Sequence, residues 1–177
     1  MSDPFVCARC AEKGKTCCEL TPGTEEVCFP VSDYERERIL ECAPDSGGFV
    51  LQLNSPLFIE NLLKLFPGQR RTVKELFPPG GMHYRLEVDS GGKCLFLGSG
   101  GCVIPKEARP LYCRLFPFWT DESGRITLLE VESCLAQQEN KTPGKLFKTL
   151  GISQSEVREL HSQLRIAWGF AAHVDNG

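Results

Sequence analysis

The chain has 177 residues, of which 24% are charged and 41% are hydrophobic, and its formal net charge is -3 at pH 7. These proportions are typical of a globular protein with its own core, and the slightly acidic balance gives no general affinity for nucleic acid or anionic lipid. No apolar window approaches the roughly 18 residues of a membrane span, and the first residues lack the pattern of a secretory leader. We therefore expect a cytoplasmic protein, with neither nucleic acid nor a membrane as partner.

Ten cysteines distinguish this composition. They fall below the roughly 8 to 10% that marks a disulfide scaffold, and a reducing cytosol would keep them as thiols. They form a dense N-terminal group and a later group on either side of a cysteine-free middle: Cys7, Cys10, Cys17, Cys18, Cys28, Cys42, Cys94, Cys102, Cys113 and Cys134. We expect these two distant segments to meet in the fold.

The predicted elements begin after the first cysteine group. Residues 26–31, "EVCFPV", have the composition of a short strand. Residues 32–42 predict a helix, with Ser32 as its N-cap, Glu35 completing a capping box and Cys42 at its end.

Residues 55–66 predict a second helix, because Ser55 can cap it and Pro56 suits the first helical position. It should end near residues 67–68 and bury one apolar face, made of Phe58, Leu62, Leu65 and Phe66. Residues 82–88 alternate as in a half-buried strand. The apolar set Met82, Tyr84, Leu86 and Val88 is expected to face inward, against His83, Arg85 and Glu87.

Residues 93–104, "KCLFLGSGGCVI", predict a β-hairpin with a glycine-rich turn. If the turn is centred near Gly98, Cys94 and Cys102 lie opposite each other with their Cβ atoms about 5 Å apart. Prolines then restrict residues 105–119, which carry Cys113, to short helical turns.

The remaining elements are a strand and two helices. Residues 125–134 predict a strand that ends at Cys134, and residues 142–150 a short helix. Residues 153–173 predict a longer helix that opens with a capping box formed by Ser153 and Glu156. It should pack a stripe onto the domain, made of Val157, Leu160, Leu164, Trp168 and Ala171.

The cysteine spacing indicates metal ligation. Cys7 and Cys10 form a C-x-x-C turn, which presents two thiolates to one ion, and four sulfurs complete a tetrahedral zinc or iron centre. Neighbouring side chains diverge, so the adjacent Cys17 and Cys18 are expected to serve two different centres, or one as a ligand and the other as a reserve. Eight sulfurs suffice for two four-thiolate sites, or for one site and a cluster: Cys7, Cys10, Cys17, Cys18, Cys94, Cys102, Cys113 and Cys134.

The stretches "CARCAEKGKTCC" and "CLFLGSGGCVIPKEARPLYCRLFPFW" resemble the bacterial YkgJ-type cysteine-cluster family, described as a zinc- or iron-chelating domain. The resemblance runs from about Cys7 to Cys134 and implies metal chelation by the eight cysteines just named, without a settled reaction. The chain departs from the short form C-x-x-C-x-x-C-C by placing six residues between Cys10 and Cys17. The flagellin lysine methylases share a related cysteine motif on much longer chains.

Several cysteines and the histidines have alternatives to metal binding. Cys28 and Cys42 are expected to pack as small hydrophobic residues. A thioredoxin-like redox pair at the C-x-x-C lacks the preceding strand and βαβ unit, and a vicinal disulfide requires a strained peptide. His83, His161 and His173 are expected to be ordinary polar residues, so any metal site is all sulfur.

Aromatic and cationic residues surround the later cysteines. Phe116, Phe118 and Trp119 are expected to seal a small core around the metal rather than to bind a cofactor. Arg109 and Arg114 are expected to donate to thiolates, since the cations would offset the charge of a thiolate site, with plain solvent exposure as the alternative.

We therefore predict a small, irregular α+β domain over residues 1–177, with short β-hairpins, packed helices and a long C-terminal helix. Residues 7–18 and 94–134 carry the metal ligands, and residues 142–174 form the helical C-terminal part. The metal is zinc or iron, an iron-sulfur cluster included. The function expected first is metal binding, as in a carrier or sensor. An iron-sulfur oxidoreductase is the alternative, and a protein methyltransferase is less favoured because no glycine-rich strand-to-helix turn is present.

Overall fold

The computed structural model describes residues 6–14, 16–45, 48–121, 123–140 and 142–171. These residues form helices packed around small antiparallel sheets, which confirms the α+β class. The helices are α1 Val6–Lys13, α2 Asp33–Cys42, α3 Pro56–Leu65, α4 Arg70–Leu76, α5 Leu111–Leu115, α6 Leu135–Glu139, α7 Pro143–Leu150 and α8 Gln154–Ala167. The strands are β1 Phe49–Leu53, β2 Met82–Leu86, β3 Leu97–Gly98, β4 Gly101–Cys102, β5 Phe118–Thr120 and β6 Ile126–Leu128. Across the described ranges, no helix is both long and apolar enough to span a membrane.

The capping signals of the first half are confirmed. In α2, the Glu35 backbone N–H donates to Ser32 Oγ at 3.4 Å, and the Ser32 backbone N–H donates to Glu35 Oε2 at 2.9 Å. In α3, the Phe58 backbone N–H donates to Ser55 Oγ at 3.2 Å. The strand expected at 26–31 is wrong, because this segment is a 3-10 turn followed by extended chain. Pro30 within it has no N–H for a strand ladder.

Strands β1 and β2 pair in register from Phe49 opposite Leu86 to Leu53 opposite Met82. The expected facing of β2 is wrong, since Met82 is 53% exposed and His83 only 4%. His83 is buried because its ring stacks on Phe58, with ring centroids 3.8 Å apart. Its Nδ1 also lies 2.7 Å from Oδ1 of Asn54, so the imidazole supplies an apolar face and satisfies a buried amide.

Strand β6 pairs with β5 and is shorter than expected. After Leu128 the chain leaves the ladder, and the Gln137 side chain then bonds the backbone at both Leu129 and Val131. Cys134 is therefore not the end of a strand but the N-cap residue of α6.

The larger core, here called the aromatic core, lies between α3, α4, α5, α7, α8 and β5. Trp119 is 4% exposed and its indole N–H donates to the Leu65 carbonyl oxygen at 2.9 Å. Phe118 is 1% exposed and Phe116 is partly buried, so Phe118 and Trp119 enclose a core, and that this core surrounds a metal stays a prediction. Its other fully enclosed members include Phe58, Leu62, Phe66, Val73, Phe77, Leu115, Leu146, Val157, Leu160 and Leu164.

The two C-terminal helices occur where they were expected. The Glu156 backbone N–H donates to Ser153 Oγ at 3.1 Å, which is one half of the expected capping box. The first three stripe residues of α8 are buried, whereas Trp168 is partly buried and Ala171 is exposed. The helix ends at Ala167, and the expectations for residues 172–174, His173 included, lie outside the described residues.

A smaller core packs α2 against the hairpin of β3 and β4. Ile39, Phe96 and Ile104 are each at most 1% exposed. Cys94 belongs to this core, and Cys18 and Cys102 pack at its edge. This second core supports the cysteine-bearing region.

Candidate functional site

The cysteine-bearing segments converge on one side of the molecule, as the sequence predicts. Helix α1, which carries Cys7 and Cys10, contacts strand β4 and helix α6. Cys102 ends β4, and Cys134 caps α6. The C-x-x-C segment is a helix rather than a turn, so its two cysteines lie one helical turn apart on the same side.

A backbone pairing joins the vicinal cysteines to the central segment. The Cys94 N–H donates to the Cys18 carbonyl oxygen, and the Leu20 N–H donates to the Gly92 carbonyl oxygen, each at 2.8 Å. Glu19 pairs with Lys93 between these two bonds. The pairing therefore places Cys18 beside Cys94, although 75 residues lie between them in the sequence.

Gly92 makes this approach possible. Its φ is +86°, and a Cβ placed on it would lie 2.0 Å from the carbonyl oxygen of Leu20, which is a backbone atom that cannot move aside independently. Only glycine fits such a position without displacing the chain. The glycine thus sets the distance between the N-terminal segment and the hairpin.

The hairpin itself differs from the expected register. Leu97, not Cys94, pairs with Cys102, and the turn is at residues 99–100. Cys94 is held outside this ladder by its bond to Cys18 and by a bridge to Val88. The expectation that Cys94 and Cys102 are direct cross-strand partners is therefore wrong.

The eight candidate ligands form two overlapping neighbourhoods of sulfur. Burial raises the pKa of the thiols of Cys7, Cys94, Cys102 and Cys113, and the nearby Cys18 sulfur raises each of them further. For Cys94 the result is a pKa of about 12. Burial likewise raises the pKa of Cys134, and Cys10 adds to that rise as it does for Cys7. Cys7 thus links the neighbourhood of Cys18 to that of Cys10 and Cys134.

The vicinal pair is electrostatically asymmetric. A side-chain hydrogen bond from Cys17 lowers the pKa of Cys18 to about 7, and Thr16 and Arg109 act in the same direction against burial. The same bond raises the pKa of Cys17 well above its usual value. The expectation that the two cysteines serve different centres, or one as a ligand and the other as a reserve, stays a prediction. Cys18 is the thiol of this pair that ionises near neutral pH.

Thr16 is a site residue that the sequence reasoning missed. It is 5% exposed, and its Oγ1 accepts from the Cys18 backbone N–H at 3.0 Å. The Glu19 backbone N–H donates to the Thr16 carbonyl oxygen at 3.0 Å, which closes a turn around the pair. A threonine two residues before the second vicinal cysteine is the signal for this hydroxyl-backbone turn.

Arg109 lies among the sulfurs, as expected. Its Nε donates to the Ile104 carbonyl oxygen at 2.9 Å, and its Nη2 donates to the Cys102 carbonyl oxygen at 3.3 Å. Its guanidinium opposes the effect of burial on the pKa of Cys7 and Cys102. Arg114 instead donates from Nη1 to the Glu107 carbonyl oxygen at 3.3 Å, so a role as a thiolate donor stays a prediction for this residue.

The cysteines outside the candidate set differ from expectation in part. Cys42 is exposed at the end of α2, so the expectation that it packs in a core is wrong. Cys28 is half-buried, and burial raises its pKa to about 11. All ten thiols are free, and Cys7, Cys17 and Cys113 are exposed while Cys94 and Cys134 are buried.

The two described histidines, His83 and His161, pack against aromatic rings. His83 stacks on Phe58, and His161, 1% exposed, meets the Trp119 ring edge-on at 4.6 Å between centroids. Within the part of the chain that the structure describes, no group of three or more cysteine, histidine, aspartate or glutamate side chains is already arranged to hold a metal ion. The described cysteines therefore lie on neighbouring segments without forming a closed metal site.

Comparison with known proteins finds no matching family model, no similar curated protein and no similar solved structure.

Proposed function

We propose that this protein binds zinc or iron through the thiolates of its cysteine cluster, as a metal-binding module of the YkgJ type. The ligands proposed are the eight cysteines of the sequence analysis, from Cys7 to Cys134. The observation that carries the proposal is the convergence of sulfurs from α1, the vicinal pair, the hairpin, α5 and the start of α6. Four sulfurs at most are needed for one closed site, so the cluster has donors to spare.

The chemistry of the donors supports a thiophilic metal. Thiolates are soft ligands that select zinc, copper(I) and iron-sulfur clusters over magnesium or calcium. Thr16 and Arg109 add a hydroxyl and a cation close to Cys18, as expected for groups that orient ligands and balance their charge. The two histidines His83 and His161 pack in the aromatic core, which leaves sulfur as the ligand type of this region.

The electrostatics of the free thiols support the same proposal. Sulfurs that raise one another's pKa remain protonated at neutral pH because several adjacent thiolates repel. A bound divalent cation reverses this effect and deprotonates the thiols that it contacts. Cys18, with its pKa lowered to about 7, supplies the thiolate that binds first. Ligation then draws the open arrangement closed.

An iron-sulfur oxidoreductase is the second candidate. The exposure of Cys7, Cys17 and Cys113 favours it, because a cluster near the surface can exchange electrons with a partner. The proposed location for either function is the cytosol, where reducing conditions preserve free thiols.

The test is metal analysis, with an absorption spectrum, of protein purified without air. Zinc in a closed site gives a colourless protein, whereas an iron-sulfur cluster gives visible absorbance that changes on reduction. Cys94→Ser, at the buried sulfur beside Cys18, is expected to lower metal per chain by at least half. Cys42→Ser, at an exposed cysteine outside the cluster, is the matched control and should leave the metal content unchanged. Equal metal loss in both variants would contradict the proposal, as would a wild-type protein without metal.

A further inference from the structure

A cavity of about 100 Å³ opens beside the cysteine cluster. Cys7 and Cys113 form part of its wall, and Lys106, Arg109 and Arg114 bring three cationic side chains to it. Cys113 is an exposed residue of this wall. The cavity therefore joins a cationic wall to two of the proposed metal ligands.

Among the residues that the structure describes, no acidic side chain lines the cavity. Across the described residues, none of its three cations has a carboxylate partner within 4.0 Å. Glu35 is close enough to act on the Cys113 thiol, but its carboxylate accepts from the backbone N–H groups of Ser32 and Leu111. Glu35 therefore makes no described ion pair with the cations of the cavity, and the three cations outnumber this one carboxylate.

Arg114 supplies a specific donor. Its Nη1 is directed to a backbone carbonyl, but its Nε is buried and has no hydrogen-bond partner among the described residues. A buried guanidinium N–H without an acceptor costs free energy, and such groups in proteins are normally paired. An anion in the cavity would provide the acceptor.

The remaining walls are apolar: Phe116, Phe118, Leu150 and Ile152. A purely cationic site would suit an inorganic oxyanion, whereas apolar walls opposite the cations suit a ligand with a hydrocarbon part. The cavity volume is about two thirds of the roughly 150 Å³ of a cavity known to take benzene, so about four non-hydrogen atoms of a ligand fit inside it and any others lie at its opening. A carboxylate with a short aliphatic chain meets these requirements.

We propose that this cavity binds a short-chain aliphatic carboxylate, with Arg114 as its main contact. Guanidinium binds carboxylate through paired N–H donors, so Arg114 fixes the charged end. Arg109, held by its bonds to two backbone carbonyls, adds a fixed positive charge, and Lys106 lies exposed at the opening. The site does not require a metal, but its ligand would lie next to Cys7 and Cys113.

Calorimetric titration of the full-length protein with sodium butyrate, at constant ionic strength, tests this proposal. The titration is run on both metal-free and metal-containing protein, so that failure of metal binding does not decide the outcome. Saturable binding of butyrate to either form is expected, with at least tenfold weaker binding of both n-butanol and inorganic phosphate. Absence of saturable butyrate binding to both forms would overturn the proposal, and equal affinity for phosphate would overturn the carboxylate assignment.

Two variants locate the site. Arg114→Gln is expected to weaken butyrate binding at least tenfold, because it removes the charge and the paired donors. Arg71→Gln changes an arginine that is 92% exposed on α4 and should leave the affinity within twofold of wild type. If Arg114→Gln does not fold, Lys106→Gln at the exposed opening replaces it and should weaken binding about threefold. Unchanged butyrate affinity in a folded Arg114→Gln variant would place the ligand elsewhere and refute the proposal. Where Lys106→Gln replaces that variant, unchanged affinity would refute the proposal in the same way.

Discussion

The aromatic core and the cysteine cluster are ordered by different interactions. In the aromatic core, regular helices bury large side chains, and Leu115, Val73 and Val157 reach 0% exposure. In the cysteine region, strands β3 and β4 have two residues each, and single backbone bridges join the vicinal cysteines to the hairpin. Apolar burial is sufficient to order the first region. In the second region a smaller core of Ile39, Phe96 and Ile104 contributes as well, and under the proposed function metal ligation adds to it.

The largest expected effect is therefore that of removing metal. Structural zinc contributes on the order of 10 kcal/mol in small peptides, and ligation here should supply much of the order of the cysteine region. A strong chelator is expected to speed amide hydrogen exchange in residues 7–20 and 92–104 by at least tenfold, while α8 keeps its protection. Exchange measured by mass spectrometry checks this. A uniform loss of protection along the chain would contradict the difference between the two regions. Unchanged protection in protein shown to have lost its metal would contradict it as well.

A cavity created by mutation in the aromatic core should lower stability without changing the metal content. Leu164 is 1% exposed, and Leu164→Ala is expected to cost about 2 to 5 kcal/mol in the free energy of unfolding. Because Leu164 lies in α8, which carries none of the proposed ligands, metal per folded chain should not change. Denaturant unfolding and metal analysis of the same sample measure both quantities. A loss of metal at temperatures where the variant remains folded would show that the two regions are not separate.

A glycine substitution tests the cysteine region without touching a sulfur. Gly92→Ala places a Cβ against the Leu20 backbone, and we expect it to cost about 1 to 3 kcal/mol more than left-handed strain alone, as overpacking does. Gly80→Ala is the matched control, because Gly80 has a similar φ of +78° and no described atom within 4 Å of an added Cβ. Only Gly92→Ala should weaken metal binding, measured by competition with a chromogenic chelator. Equal weakening of metal binding by both variants would contradict the role assigned to the close contact between Gly92 and Leu20.

The smallest expected effect is a loss of stability at acid pH that arises from His83, outside the cysteine cluster. Burial lowers the pKa of His83 to about 4 from its ordinary 6.5, so the unfolded chain binds more protons than the folded chain between these values. Stability is therefore retained above about pH 6.5 and falls as pH drops toward 4, by on the order of 2 kcal/mol. Thermal melting of metal-free protein measures this loss. His83→Gln should flatten it, and an unchanged pH profile in that variant would assign the acid sensitivity to other groups.

The elements that depend on local signals could be predicted from the sequence. The caps Ser32, Ser55 and Ser153 act through backbone groups three residues away, and each begins the helix that was expected. The inward orientation of His83 could not be predicted, because it depends on contact with Phe58, which lies 25 positions earlier in the sequence. A period-two pattern identifies the two faces of a strand, but not which face a tertiary partner covers.

The meeting of the cysteine segments was more predictable than their geometry, and which cysteines bind metal stays a prediction. Cysteine spacing and order indicated that distant segments meet, and the pairing of Cys18 with Cys94 confirms that they do. The pairing of Cys18 with Cys94 depends on the close backbone contact at Gly92, and the placement of the vicinal pair depends on the turn at Thr16. Such contacts have no periodic signature in the sequence.

X-ray absorption spectroscopy at the zinc or iron edge, on protein purified without air, tests the central claim most directly. A shell of about four sulfurs per metal, at about 2.3 Å for zinc, is the predicted result, and Cys94→Ser should lose either sulfur ligands or metal while Cys42→Ser keeps both. A shell of nitrogen and oxygen alone, at about 2.0 to 2.2 Å, would contradict the claim that the cysteine cluster holds the metal.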